Sequence, residues 1–291
     1  MRLDRELRVG DVNRASGEDC VLGGKGINVS GVLAQLGCES VALGFVAGET
    51  GAWLERGLAA QGLKTDFVRL AKGMTRINVK IKAGQETELN GAGPDIPEDA
   101  MRALEEKLDR LQQDDILVLA GSIPASLAQT TYERILARLD GRGVRAVVDA
   151  TRDLLVNVLR YRPFLIKPNN HELSEITGVK LTTDREIAAA AKMMQDKGAR
   201  NVLVSMAGDG ACCWMSRAAC TASAAPRARL STVSAQGTAW WPALWRATSR
   251  AAEIMRLRCV LAPPAAVPPR LVWVWRQRRT LISCSRRWSR P

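Results

Sequence analysis

The sequence is poor in the residues that usually announce a metal or redox centre. It has one histidine, His171, and its seven cysteines show no C-x-x-C or comparable ligand spacing, so zinc ribbons, thioredoxin-like chemistry and a disulfide framework are not expected. It contains no run of about 18 apolar residues, and "MRLDRELRVGDVNR" at the amino end lacks an apolar signal region, so membrane insertion and export are not expected. The reading is a cytoplasmic protein with no membrane partner. The most uneven absence is lysine: residues 212–291 have none, beside 14 arginines and one acidic residue, Glu253.

That imbalance decides how the net charge of +12 is read. Residues 1–211 carry 28 basic and 29 acidic side chains, so the body is close to neutral and the excess belongs to the tail. Spread over a folded surface such a charge would suggest nucleic acid; confined to the tail, it gives no reason to expect a nucleic-acid partner. Tryptophan follows the same division, with only Trp53 before residue 212 and seven after it.

Up to about residue 211 the pattern alternates. "VALGFVAG", "DILVLAGS", "RAVVDAT", "PFLIKPN" and "NVLVSMAGDG" are short apolar runs that end in Gly, Asp, Asn or Ser, as buried strands do. Between them lie amphipathic helical stretches over 97–113, 128–139 and 183–197, the last with Asp184 and Glu186 in its first turn. Strand and helix in alternation predict βαβ units and a largely parallel sheet. Two stretches break the rhythm and read as hairpins, near 8–22 and 74–92, the second turning at Gly84. Strand pairs of this kind would form a small lid over the carboxyl end of the sheet, where open α/β sheets bind ligands. After Ala211 neither period persists, and no domain is assigned to 212–291.

The sharpest motif is "GGKGINVS", residues 23–30. Glycines allow a tight turn whose N–H groups face an anion or a hydroxyl, Lys25 adds a cation, and a helix opening near Ile27 presents its positive end. Taken alone, the same residues make an ordinary glycine turn capped by Asn28. "MTRINVKI" puts Arg76 on a lid strand, "LAGSIPASL" follows a strand with a turn at Ser122, "LIKPNNHELSEITG" sets Asn169 and Glu172 at a strand-to-helix junction, and "LVSMAGDGA" ends a strand in a loop. His171 reads as an exposed helix-start residue without a chemical role, and Cys20 and Cys38 read as packing residues.

In order and spacing these stretches resemble the ribokinase-like (PfkB) family of carbohydrate kinases over residues 1–211. The resemblance implies a ribokinase-like α/β fold, a parallel sheet flanked by helices with a small β lid and a disrupted C-terminal part. It implies ATP and Mg²⁺ as cofactors and transfer of the γ-phosphoryl group to O6 of fructose 1-phosphate; family members acting on tagatose 6-phosphate are the next most similar. Carried over by residue, Gly24, Lys25, Gly26, Asn28 and Arg76 hold the sugar phosphate. Lys167, Asn169 and Glu172 serve the nucleotide, with Glu172 reaching Mg²⁺ through water, and the nucleotide loop runs over Ser205, Ala207, Gly208, Asp209 and Gly210, with Ala207 where the family has glycine. It also implies a homodimer through the lid strands.

The family's base and anion hole lie in a G-A-G-D motif, and this sequence has none, so its catalytic residue is unknown. The family's opening strand, ending in N-P-A-x-D, would precede residue 1. A GC-rich choice of codons for "STVSAQGTAWWPA", residues 231–243, read one phase over, spells N-S-V-G-A-G-D-S-M-V-A-G. "ACCWMSR" with one C restored after its first codon becomes A-L-L-L-D-E, as the family continues, and "LRCVLAPP" in the same phase can give A-L-C-A-G-S-A. The expectation is therefore a frameshift near Ala211 and Cys212. It would leave 212–291 as an out-of-frame tail without a packed structure, and an impaired, sugar-phosphate-binding remnant of a kinase.

Overall fold

The computed structural model describes residues 1–206, 211–215 and 218–223. The chain opens with a loop segment, then α1 (Lys25–Gln35), β1 (Val41–Ala42), β2 (Phe45–Ala47), α2 (Gly48–Ala60), β3 (Lys64–Thr65) and β4 (Val68–Leu70). The hairpin β5 (Asn78–Lys82) and β6 (Glu86–Asn90) comes next, then α3 (Glu98–Leu108), β7 (Ile116–Ala120), α4 (Thr131–Leu139), β8 (Arg145–Asp149) and α5 (Arg152–Asn157). The rest is β9 (Leu165–Ile166), α6 (Asn170–Thr177), α7 (Asp184–Asp196), β10 (Val202–Ser205), β11 (Ala211–Met215) and β12 (Ala218–Ser223).

Six strands form the main sheet in the order β12-β11-β10-β9-β8-β7, with β7 to β10 parallel. Their sequences are nearly continuous apolar runs because helices cover both faces of a parallel sheet. Leu117, Val148, Ile166, Val202 and Val204 are accordingly buried, packed in one cluster with Leu104 and Leu108 of α3, Ile135 and Leu136 of α4, and Ile187, Ala191 and Met194 of α7. Pairs β1·β3 and β2·β4 are parallel and two-stranded.

The helices begin where their caps require. Thr183 accepts from the Glu186 N–H while Glu186 reaches back to the Thr183 N–H, a reciprocal pair that satisfies donors α7 would otherwise leave open. Asn169 and Glu172 do the same for α6. Helices α3 and α4 are laced by Arg134 to Glu98 and Glu105, and by Arg138 to Asp109.

Three sequence expectations meet a different structure. The hairpin expected at 8–22 is a loop held by Arg8 and Asn13, with one isolated bridge from Gly17 to Arg2, which itself bridges Lys82. Polar residues and Gly10 and Gly17 leave this segment without a face to bury. Cys20, expected to pack, is exposed in that loop, while Cys38 is half-buried against the core. Beyond Ala211, where no period was found, β11 and β12 extend the sheet antiparallel to β10 and to each other. A ladder is made by backbone groups, so a stretch with no proline before Pro226 can complete one without a period-2 pattern. Residues 224–291, the rest of the anticipated tail, lie outside the described residues.

Candidate functional site

The carboxyl ends of β7 and β8 meet the amino end of α1. Lys25 is the first residue of that helix, and Gly24 before it has φ 129°, a region closed to most side chains, so the turn needs glycine. Gly24 offers no side-chain cap, and Asn28, which the sequence alone allowed as a cap, is the fourth residue of the helix, its N–H donating to Gly24 O at 2.9 Å. Among the described residues no side chain accepts from the first N–H groups of α1.

Lys25 Nζ donates to Asp149 Oδ1 at 3.0 Å. Asp149 ends β8 and is buried, and its Oδ2 lies 3.3 Å from Nζ of Lys167, also buried, just after β9. Tyr132 of α4 donates to Gly121 O at 3.1 Å, fixing the turn after β7; burial, and secondarily the Asp149 charge, push its phenol well above the ordinary range.

Asn169 and Glu172 stand one step further along the same sheet end. Glu172 Oε2 accepts the Asn169 N–H at 2.8 Å and Asn169 Oδ1 accepts the Glu172 N–H at 2.8 Å, so these side chains hold each other and the start of α6. Ser205, buried at the end of β10, donates its N–H to Pro168 O at 3.1 Å and bridges Asn169. Ser205 is therefore a neighbour of the "KPNNHE" stretch. Ala207, Gly208, Asp209 and Gly210 lie outside the described residues.

Arg76 stands apart. It was expected on a lid strand, but β5 begins two residues later and Arg76 is exposed at the hinge that leads into it. The hinge is fastened to the start of α2 by Thr75: its N–H donates to Ala47 O at 2.9 Å, its Oγ1 accepts from Ala47 N at 2.9 Å, and Thr50 Oγ1 donates to its carbonyl at 2.9 Å. A Cβ on Gly48, whose φ is 57°, would lie 2.8 Å from Gly73 O, so the approach of hinge to helix requires glycine there. His171 is exposed in the first turn of α6, as read from the sequence.

Sequence reading missed Asp149, Tyr132 and Thr75. Asp149 was visible only as the polar end of a strand candidate, and the partner that gives it meaning lies 124 residues away.

Cations and glycine turns thus gather at the carboxyl ends of parallel strands in an α/β fold that has known relatives. The model of the pfkB family carbohydrate kinases matches residues 2–235. The chain belongs to that family. It is 45% identical over 206 residues to 1-phosphofructokinase of Bacillus subtilis, covering 71% of this chain and 68% of that one. It is 34% identical over 207 residues to D-tagatose-1-phosphate kinase of Bacillus licheniformis, covering 71% and 68%. Among solved structures, Escherichia coli phosphofructokinase-2 in complex with substrates and products superposes with a TM-score of 0.77 at 26% identity, covering 84% of this chain and 81% of that one. The main sheet, its flanking helices and the hairpin are thus those of a pfkB-family, ribokinase-like kinase.

Family members use ATP with a divalent cation, and the donor set here can be tested for that fit. Among the described residues no group of three His, Cys, Asp or Glu side chains could chelate a metal. Glu172 spends Oε2 on its cap, which leaves Oε1, and that suits a hard ion held largely through its own waters, as Mg²⁺ is.

Proposed function

We propose that this chain derives from an ATP-dependent sugar-phosphate kinase acting on fructose 1-phosphate, and that it retains the binding half of that activity. The full reaction moves the γ-phosphoryl group of ATP to O6 of fructose 1-phosphate, giving fructose 1,6-bisphosphate and ADP, with the O6 proton passing to a base. The observation that carries the reading is the convergence of Lys25, Asp149 and Lys167 at the sheet end, beside the open amino end of α1. Such a place attracts phosphate through helix N–H groups and fixed cations.

In this reading Gly24, Lys25, Gly26 and Asn28 hold the sugar phosphate, and Arg76 reaches it from the hinge. The two named kinases above act on fructose 1-phosphate and tagatose 1-phosphate, C4 epimers that share a phosphate on C1. That favours a C1 phosphate over the tagatose 6-phosphate of the sequence reading. Lys167, Asn169, Glu172 and the loop from Ser205 to Gly210 take the nucleotide. Mg²⁺, when bound, neutralises phosphate charge; Glu172 would orient its waters.

A specific observation favours impairment. The sequence has no G-A-G-D motif to supply the base and the anion hole, and loss of each such group costs roughly 10²–10⁴ in rate. We take the stretch from Cys212 onward to be translated one base out of phase. The purified 291-residue chain is expected to bind fructose 1-phosphate but to release no ADP from Mg²⁺·ATP. Insertion of one base after codon 211 is expected to restore turnover; turnover by the chain as it stands would overturn the impairment.

We also infer a homodimer through the lid. Ile77 and Leu89 are 60% and 57% exposed on or beside the hairpin, and Val9, Val12 and Val21 are exposed in the preceding loop. Apolar side chains gathered on an open two-stranded ribbon suit a second copy of the same surface. Sedimentation of the parent and of Leu89→Asp reads this directly.

A further inference from the structure

We propose that Asp149 is a positioning residue that ties the sugar-phosphate half of the site to the nucleotide half, by holding the ammonium groups of Lys25 and Lys167 in place for two anionic ligands. This rests on the kinase reading above. Lys25 belongs to the glycine loop and Lys167 to the strand end that leads to Asn169 and Glu172, and one carboxylate is paired with both. The Asp149 side chain is 3% exposed and that of Lys167 8%, while Lys25 at 37% opens toward solvent. Among the described residues Asp149 is the ion-pair partner of both ammoniums, and it accepts a hydrogen bond from Lys25. An ammonium has three donors, so the Lys25 bond to Asp149 leaves others for a ligand.

The charge arithmetic explains why a carboxylate belongs here. Two ammonium groups converging on one place repel each other. Asp149 between them offsets that repulsion and leaves one positive charge in excess, still attractive to phosphate. As a purely structural device the triad would be a poor choice, since a buried ion pair contributes little beyond an apolar replacement of the same shape. Its backbone is also held on both sides: Gly121 N donates to Asp149 O at 3.2 Å, and Lys167 N donates to Val148 O at 3.0 Å. The end of β8 is thus held between its two neighbouring strands, which gives the carboxylate a rigid base from which to place two cations.

Calorimetric titration of the full chain tests this. Asp149→Asn, which keeps the shape and removes the charge, is expected to weaken fructose 1-phosphate binding about 10- to 100-fold. In a Lys25→Met background the same substitution is expected to change the affinity by less than about twofold, because the group it acts through is gone. Mg²⁺·ATP binding should behave likewise with Lys167→Met as the background, and Asp149→Glu should recover part of both affinities. Equal losses in parent and Lys25→Met backgrounds would mean that Asp149 merely supports the fold, and would overturn the proposal. If Asp149→Asn alone does not fold, the comparison moves into Lys167→Met, where no buried cation is stranded. There, adding Asp149→Asn is still expected to weaken fructose 1-phosphate, and no change would overturn the role. A parent chain that binds neither ligand sinks the kinase reading and this proposal together; a parent that binds both, with additive losses, sinks this one alone.

Discussion

The sheet-end cluster and the lid hinge each offer a cation, and they hold it by opposite means. Lys25 and Lys167 are aimed by a buried carboxylate at the end of β8 in a packed sheet. Arg76 is exposed and is placed only by the backbone around it, through Thr75 and a glycine contact at Gly48. The first arrangement is preorganised and its integrity is tied to the core. The second is cheap to move, as suits a part that closes over a ligand. Damage to the first should therefore register as lost stability together with lost binding, and damage to the second as lost binding alone.

The largest effect that would separate them lies under the cluster. Ile166→Ala removes a fully buried side chain from β9, one residue before Lys167, and should cost about 2–5 kcal/mol in denaturant unfolding while weakening both ligands. Arg76→Ala should weaken fructose 1-phosphate roughly 10- to 100-fold by calorimetry with the melting temperature unchanged. A melting temperature that falls with it would erase the distinction drawn here.

A smaller effect comes from the two capping boxes, one at the site and one away from it. Thr183→Ala should cost about 1 kcal/mol without altering ligand affinity. The Thr182 and Thr183 N–H groups, then their hydroxyls, hold the Glu186 carboxyl down at about 2 against an ordinary 4.5. A depressed folded value means stability that is present above 4.5 and lost as the pH falls toward 2. The stability gap between the parent and Glu186→Gln should accordingly close across that window. The smallest effect is on the lid surface: Ile77→Ser should stay within about 0.5 kcal/mol in stability. Its readout is the association state.

Much of the fold was legible in the sequence because the buried strands are written as apolar runs and the helices as period-3.6 stretches with caps. "ILVLA", "RAVVD" and "VLVS" became β7, β8 and β10, and the helix expected over 183–197 runs from Asp184 to Asp196. Residues 8–22 were misread as a strand pair because alternation in a polar, glycine-containing loop mimics a hairpin when nothing shows which face is buried. The strands after Ala211 were missed for the converse reason: an antiparallel edge needs backbone groups more than a side-chain pattern.

Alone, the order of residues determined the alternating α/β architecture, the glycine-and-lysine loop, the junction at Asn169 and Glu172, and the division between a neutral body and a basic tail, since each is a local pattern or a count. Tertiary structure decided that Lys25 and Lys167 share Asp149, that Ser205 sits against Pro168, and that Arg76 belongs to a hinge rather than a strand. Those facts depend on which strands become neighbours, and a contact between groups 124 residues apart exists only once the sheet has formed.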